Sequence, residues 1–410
     1  QHCGDHHLGG SDCDLDSAVA ISQQACRVQF AKRGVVMVRI ASKLTLFISS
    51  LFLFGCEDPQ QKNMGTQNMG ALLGSGDTQS ESNPFTPVEK GIELTFPADH
   101  QAHPDFRHEW WYLTANLIDE DGTPLGVQWT QFRFAAAPPT GEDDVKKTEW
   151  QTQQIYMAHS AVTTTDKHYA DEKWSRAQAS LAGVDTSPFR VYLDDWQWTS
   201  STTDLFPATL KANSEQFGYS LTLTSHVPYQ KQGEQGYSTK SADGQVASYY
   251  YSQPFIEVSG EVTIDGKIHQ VLGKGWIDRE WSSQFLLDSQ QGWDWFALRL
   301  SDETSLVVFQ LRDSKTGAAS YSNARLMQQD GSGIAISQKD IQLKATKQTE
   351  IQGRKYPTEW QVSIPNQQIE LTVSALNPNA KMPLSVPYWE GPVRIEGSHS
   401  GTGYMELTGY

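Results

Sequence analysis

The chain has 410 residues, enough for two or three ordinary domains, with 48 acidic against 32 basic residues and a formal net charge of -16. A surface of that sign repels phosphate backbones and argues against a nucleic-acid partner. Its 13 Trp, 15 Tyr and 16 Phe point instead to strands, whose pleated surfaces accommodate large rings.

Residues 1–36 begin with Gln and hold Cys3, Cys13 and Cys26 beside His2, His6 and His7. A metal site is one reading of them. A spurious upstream extension before a true start at Met37 is the other, and the segment is set aside from the fold. Met37 opens a stretch carrying Arg39 and Lys43, followed by the apolar run Leu44 to Phe54 and then Gly55-Cys56. A basic region, a short apolar core and a small residue before the cysteine have the layout of an export signal, too short to span a membrane. Leu53-Phe54-Gly55-Cys56 resembles a bacterial lipobox. That predicts a lipoprotein signal peptide over 37–56 and a lipid anchor on Cys56. It places the body on the periplasmic side of the cell envelope, with Glu57 favouring the outer membrane. Residues 57–87, rich in Gln, Asn, Gly and Ser, predict a flexible tether. No cysteine follows Cys56, so the body has neither disulfides nor a thiolate metal site.

From Gly91 onward, short alternating runs separated by turn signals predict an all-β body. Leu117 to Thr123, with Asp121-Gly122 between aromatic-rich runs, predicts a hairpin. The chain also echoes itself. Trp111-Tyr112-Leu113 closing on Gln131-Phe132-Arg133 returns as Trp295-Phe296-Ala297 closing on Gln310-Leu311-Arg312. Tyr250-Tyr251-Ser252-Gln253-Pro254 returns as Tyr388-Trp389-Glu390-Gly391-Pro392, and Gly273 to Asp278 returns as Gly401 to Glu406. Three echoes in one order predict a duplication, with one unit over 88–282 and a second over 283–410. Pairing of each unit's opening and closing strands would shut its sheet into a barrel of about eight strands, wide enough for one small ligand. Gly273, Gly275, Gly401 and Gly403 suit close approach at that closure.

Three constellations could carry chemistry. Asp99-His100, His103, Asp105, Arg107 and His108-Glu109 offer metal ligands, yet their spacing fits no metal motif. The other reading is a polar loop whose charges pair with one another and cap a barrel mouth. No metal and no cofactor are expected. In Trp276 to Trp281, Trp276, Asp278 and Glu280 share one strand face. If that face lines a barrel, burial would keep Asp278 protonated near neutral pH and let it act as an acid toward an alkene or leaving group. Alternatively Asp278, Arg279 and Glu280 form an ion-paired seam with Arg107 or Glu109 between barrels. The second unit keeps an acid, Glu406, at the matching place. Finally, Trp111, Tyr249, Tyr251, Trp293 and Trp295, with His108 and Glu109, are candidate ligand-binding residues, although such rings also fill cores. Tyr250, Trp196 and Trp198 belong to the same aromatic group. No nucleophile elbow, phosphate loop or dinucleotide fingerprint is present.

The strings His108-Glu109-Trp110-Trp111-Tyr112, Tyr156-Met157-Ala158-His159, Gly236-Tyr237-Ser238 and Ser248 to Tyr251 resemble the AttH-like and carotenoid 1,2-hydratase family. So do Asp278-Arg279-Glu280-Trp281, Gly292 to Trp295 and Glu406 to Tyr410. The resemblance covers about 88–410 and implies two tandem lipocalin-like antiparallel β-barrels. The hydratase branch adds water to a carotenoid double bond, and its essential residues look like a Tyr-x-Asp pair and an upstream His-x-Trp pair. Trp276-Ile277-Asp278 matches the first with Trp for Tyr. Tyr249-Tyr250-Tyr251 stands upstream, with no histidine nearby. These departures and the leader favour a lipid-anchored carrier that passes a hydrophobic small molecule to or from an ABC-type permease. The alternative is a hydro-lyase or hydrolase acting through Asp278, with Trp276 and Glu280 beside it.

Overall fold

The computed structural model describes Leu72, residues 84–139 and residues 152–410. The upstream segment, the leader, Cys56 and most of the tether lie outside the described residues. Phe85, at the expected end of the tether, is buried on the body beneath Arg107. Ser283 also donates to the Thr86 carbonyl, so residues 85 and 86 are docked rather than loose.

The described residues form two antiparallel sheets, of thirteen strands between His108 and Ser282 and of ten between Gln290 and Leu407. Around each sheet, neighbours follow chain order, and the first strand pairs with the last. The opening strand His108–Asp119 lies against the closing strand Lys267–Ser282, and Gln290–Leu300 lies against Gly401–Leu407. These are the tandem lipocalin-like barrels expected, although with more strands than the eight foreseen. Neither ladder runs unbroken round the ring. In the first barrel only the bridge between Gln178 and Ala182 joins His168–Arg176 to Ala182–Thr186. In the second the ladder stops between Gly333–Ile336 and Gln342–Ile351.

Local chemistry explains the joints. Asp119 Oδ1 accepts the backbone N–H groups of Asp121 and Thr123, and Gly122 supplies the positive φ of the first hairpin turn. At closure, a Cβ on Gly273 would stand 2.1 Å from the Asn116 carbonyl oxygen, and one on Gly403 would stand 2.2 Å from that of Ala297.

Alternation decides what each strand buries. Trp111, Leu113, Ala115 and Leu117 of the opening strand point into the first barrel with Ile277 and Trp281 of the closing strand. Phe296, Leu298, Met405 and Leu407 do the same in the second. The first interior also takes Trp129, Trp196, Trp198, Tyr249 and Tyr251, all buried. The lumens are thus packed with the protein's own rings, where room for one small ligand was expected. The other face is buried as well: Tyr112, Trp276, Trp295, Ala297 and Tyr404 form a separate cluster between the barrels.

The junction is nearly two-fold. Asn116 Nδ2 donates to the Gly403 carbonyl at 2.9 Å, and Arg299 Nη1 donates to the Gly275 carbonyl at 2.9 Å. Asn116 and Arg299 stand four residues beyond Tyr112 and Trp295, which pair with Asp278 and Glu406 respectively. The two copies therefore meet as a homodimer would, through the same patch on each. Because the Gly273 site is closed by backbone, Gly273→Ala should cost about 1–3 kcal/mol. It should lower the urea midpoint without changing the slope.

Candidate active site between the two barrels

A cavity lies in this junction, walled by the outward faces of both sheets. Tyr112 and Trp295 meet edge to face at 5.3 Å, and Trp276 meets Trp295 at 6.2 Å. Trp110 and Phe285 close one side with ring centroids 4.4 Å apart. Two further hydrogen bonds cross the junction, one from each opening strand. Tyr112 of the first barrel donates to Glu390 of the second, and Trp295 of the second donates to the Tyr250 hydroxyl of the first at 3.3 Å. The space open to the centre of a water molecule is about 70 Å³. One water needs about 10–15 Å³ on that measure, so the cavity admits several waters or the slender end of a larger molecule.

Four carboxyl groups line it: Asp278, Glu280, Glu390 and Glu406. Lys240 is the one lining lysine or arginine among the described residues, and its Nζ lies 2.6 Å from Glu280. It also sits over the Tyr250 and Phe309 rings. Asp278 accepts from Tyr250 at 2.6 Å, from Trp276 Nε1 at 2.7 Å and from Ser252. Burial nevertheless pushes its carboxyl up to about 7. Burial also lifts Glu406 to about 8, with Asp278 and Glu280 adding repulsion against a single donor, Trp293 Nε1 at 3.0 Å. Glu390 is raised well above the carboxylate range by burial and then by Glu406.

The expected site residues divide between the two faces. Asp278, Glu280, Trp293 and Trp295 line the cavity, and Trp276 buttresses it through its bond to Asp278. Asp278 was expected inside a barrel and instead faces outward, because Ile277 and Trp281 take the inward positions. Trp111, Tyr249 and Tyr251 are core, while Tyr250 between the last two faces the cavity. Aligning Trp111 with Trp295 was one residue out. Register equates Tyr112 with Trp295, and a slip of one moves a side chain to the opposite face. His108 is buried beside Phe134 and Phe285 outside the cavity lining, its pKa lowered to about 3 by burial and by Arg107 and Arg133.

Glu109 lies beneath the sheet from the cavity. It pairs with Arg133, with Arg279 at 3.0 Å and with His103 at 3.1 Å. Burial alone would raise Glu109, but these partners hold it well below the usual range. The 99–109 segment is therefore a polar loop tied both to itself, through His103, and to Arg133, Asp204 and Arg279 of the first barrel. The Arg279–Glu109 pair sits inside the first barrel rather than on a seam between the two. Sequence reasoning missed Glu390, Tyr112 and Lys240, and it named Tyr250 only within the aromatic group. The Ser252–Glu390 echo was the available signal, since it places a carboxyl beside Tyr388 where the first copy has a hydroxyl.

The raised acids set the sign of a pH effect. The fold keeps protons on Asp278 and Glu406 that an unfolded chain, at 3.8 and 4.5, releases. Their contribution to stability therefore falls as pH rises from about 4 toward 8. His108 and His159, lowered to about 3 from 6.5, oppose this only up to pH 6.5. Between pH 6.5 and 8, Tm should fall by an amount equivalent to on the order of 1–2 kcal/mol. Calorimetry on Asp278→Asn/Glu406→Gln should show that slope flattened.

Known proteins agree with this geometry. A solved AttH protein from Nitrosomonas europaea is 32% identical and has a TM-score of 0.71, covering 80% of this chain and 99% of its own. Kievitone hydratase from Nectria haematococca, at 12% identity and TM-score 0.58, covers 79% and 97% respectively and shows the same fold. None of the curated proteins matches the chain. The model of the family described as AttH-like matches residues 87–410, and the chain therefore belongs to the AttH-like family.

Proposed function

We propose that this protein is a hydro-lyase that adds water to a carbon–carbon double bond at the end of an apolar, isoprenoid-like molecule, using the carboxyl groups of the junction cavity. The observation that supports this most is Asp278, a buried carboxyl facing an aromatic chamber too small for a whole long-chain lipid. A double bond has no acidic proton and no leaving group, so its reaction with water begins by protonation from a neutral acid. The cation that forms needs electron-rich surroundings. The faces of Tyr112, Tyr250, Trp295 and Phe309 supply them, and nearby carboxylates add charge. The 12% likeness to a hydratase agrees in fold only.

The test uses the full chain and geraniol in heavy-oxygen water, with mass spectrometry of the product. The wild type should incorporate heavy oxygen. Asp278→Asn should lose about 10²–10⁴-fold in kcat while still quenching tryptophan fluorescence on binding geraniol. Binding without turnover by the wild type would overturn catalysis and support instead a carrier working with an ABC-type permease. We also propose that the body is held to the envelope membrane through Cys56. Radiolabelled palmitate should enter the wild type and not Cys56→Ala.

A further inference from the structure

We infer that Glu406 is the proton donor to the double bond and that Asp278 accepts the proton of the attacking water. This inference rests on the hydration reading and reverses the roles that the resemblance implies. Glu406 holds, in the second barrel, the place of Asp278 in the first. Trp295 faces it across the opening strand as Tyr112 faces Asp278. The near-two-fold junction brings these equivalent positions into the lining of one cavity. Addition across a double bond can use two such groups, one delivering a proton at one carbon and the other taking a proton from water beside its neighbour.

Hydrogen bonding breaks the symmetry. Asp278 receives three donors, from Tyr250, Ser252 and Trp276. Donors aimed at a carboxyl favour its ionised form. Glu406 receives one, Trp293 Nε1 on its Oε1. No protein group among the described residues bonds its Oε2, which is left to carry a proton toward the cavity. The other two acids offer a substrate no free oxygen. Glu280 is held by Lys240 and Ser248. Glu390 takes the Tyr112 hydroxyl on Oε1, and its Oε2, although without a hydrogen-bond partner, is fully buried and presents no surface.

The step balances. The π pair takes the proton from Glu406 Oε2, forming a C–H bond and leaving a cation at the adjacent carbon and a carboxylate on Glu406. A water oxygen forms the C–O bond there, and its surplus proton passes to Asp278 Oδ2. The alcohol leaves, and the proton returns from Asp278 to Glu406 through cavity water.

The full chain is assayed with geraniol as above. Glu406→Gln should lose about 10²–10⁴-fold in kcat with geraniol binding unchanged, and Glu406→Asp should recover part of the loss. Charged and titratable groups facing the pair are Lys240, Glu280, Glu390, Tyr112, Tyr250 and Tyr388. Added formate, an ionised carboxylate at neutral pH, should restore turnover to Asp278→Ala and not to Glu406→Ala. Formate rescue of Glu406→Ala alone would overturn the assignment, as would Glu406→Gln with wild-type turnover. A wild type that leaves geraniol unchanged would overturn the hydration reading itself, a distinguishable result.

Discussion

The pairing of each barrel's first and last strands, and the docking of those strands against the other barrel, constrain everything else in the molecule. A strand buried on one face alternates between apolar and polar residues. A strand buried on both does not, and the burial of Trp276 to Ser282 is continuous. The inward half of each such strand is committed to filling its own barrel. Its outward half has only the other barrel to meet, so any chemistry on these strands is forced out of the lumens and into the junction.

The same alternation explains why the cavity acids are left uncompensated. Asp278-Arg279-Glu280 looks in sequence like a neutralised string. In space Arg279 points the other way, stacking on Trp111 at 4.0 Å and pairing with Glu109. Its donors go to the Trp110 and Gln101 carbonyls and away from Asp278. The sheet thus separates a compensated ion cluster, which anchors the loop over the first barrel, from a carboxyl-rich chamber with a single lysine.

Much of the architecture was legible because duplication leaves echoes that need no structure to detect. The closure glycines were legible for a steric reason, since backbone at closure approaches too closely for a Cβ. The acid pair was half legible: the equivalence of Asp278 and Glu406 could be read, and their meeting in one cavity could not. Nothing in a run such as Trp110-Trp111-Tyr112 says which ring faces inward when both faces are buried. Trp111 was therefore assigned to the ligand while Tyr112 was overlooked. Lys240 was invisible because it reaches the site from a connection outside the echoed strands.

The electrostatics bear on what such a chamber is for. A site that only sequesters an apolar molecule is best lined with apolar groups, because each buried ionisable group lacking a partner opposes folding. Here Glu280 has Lys240, while Asp278, Glu390 and Glu406 have no cation, and burial raises all three. Replacing them with leucine-sized side chains would relieve that opposition and keep the chamber oily. The raised pKa values of Asp278 and Glu406 fall near neutrality, where one carboxyl can hold a proton while its partner takes one. Acids in that range can give and take protons at neutral pH, which is the capacity that the hydration proposal draws on.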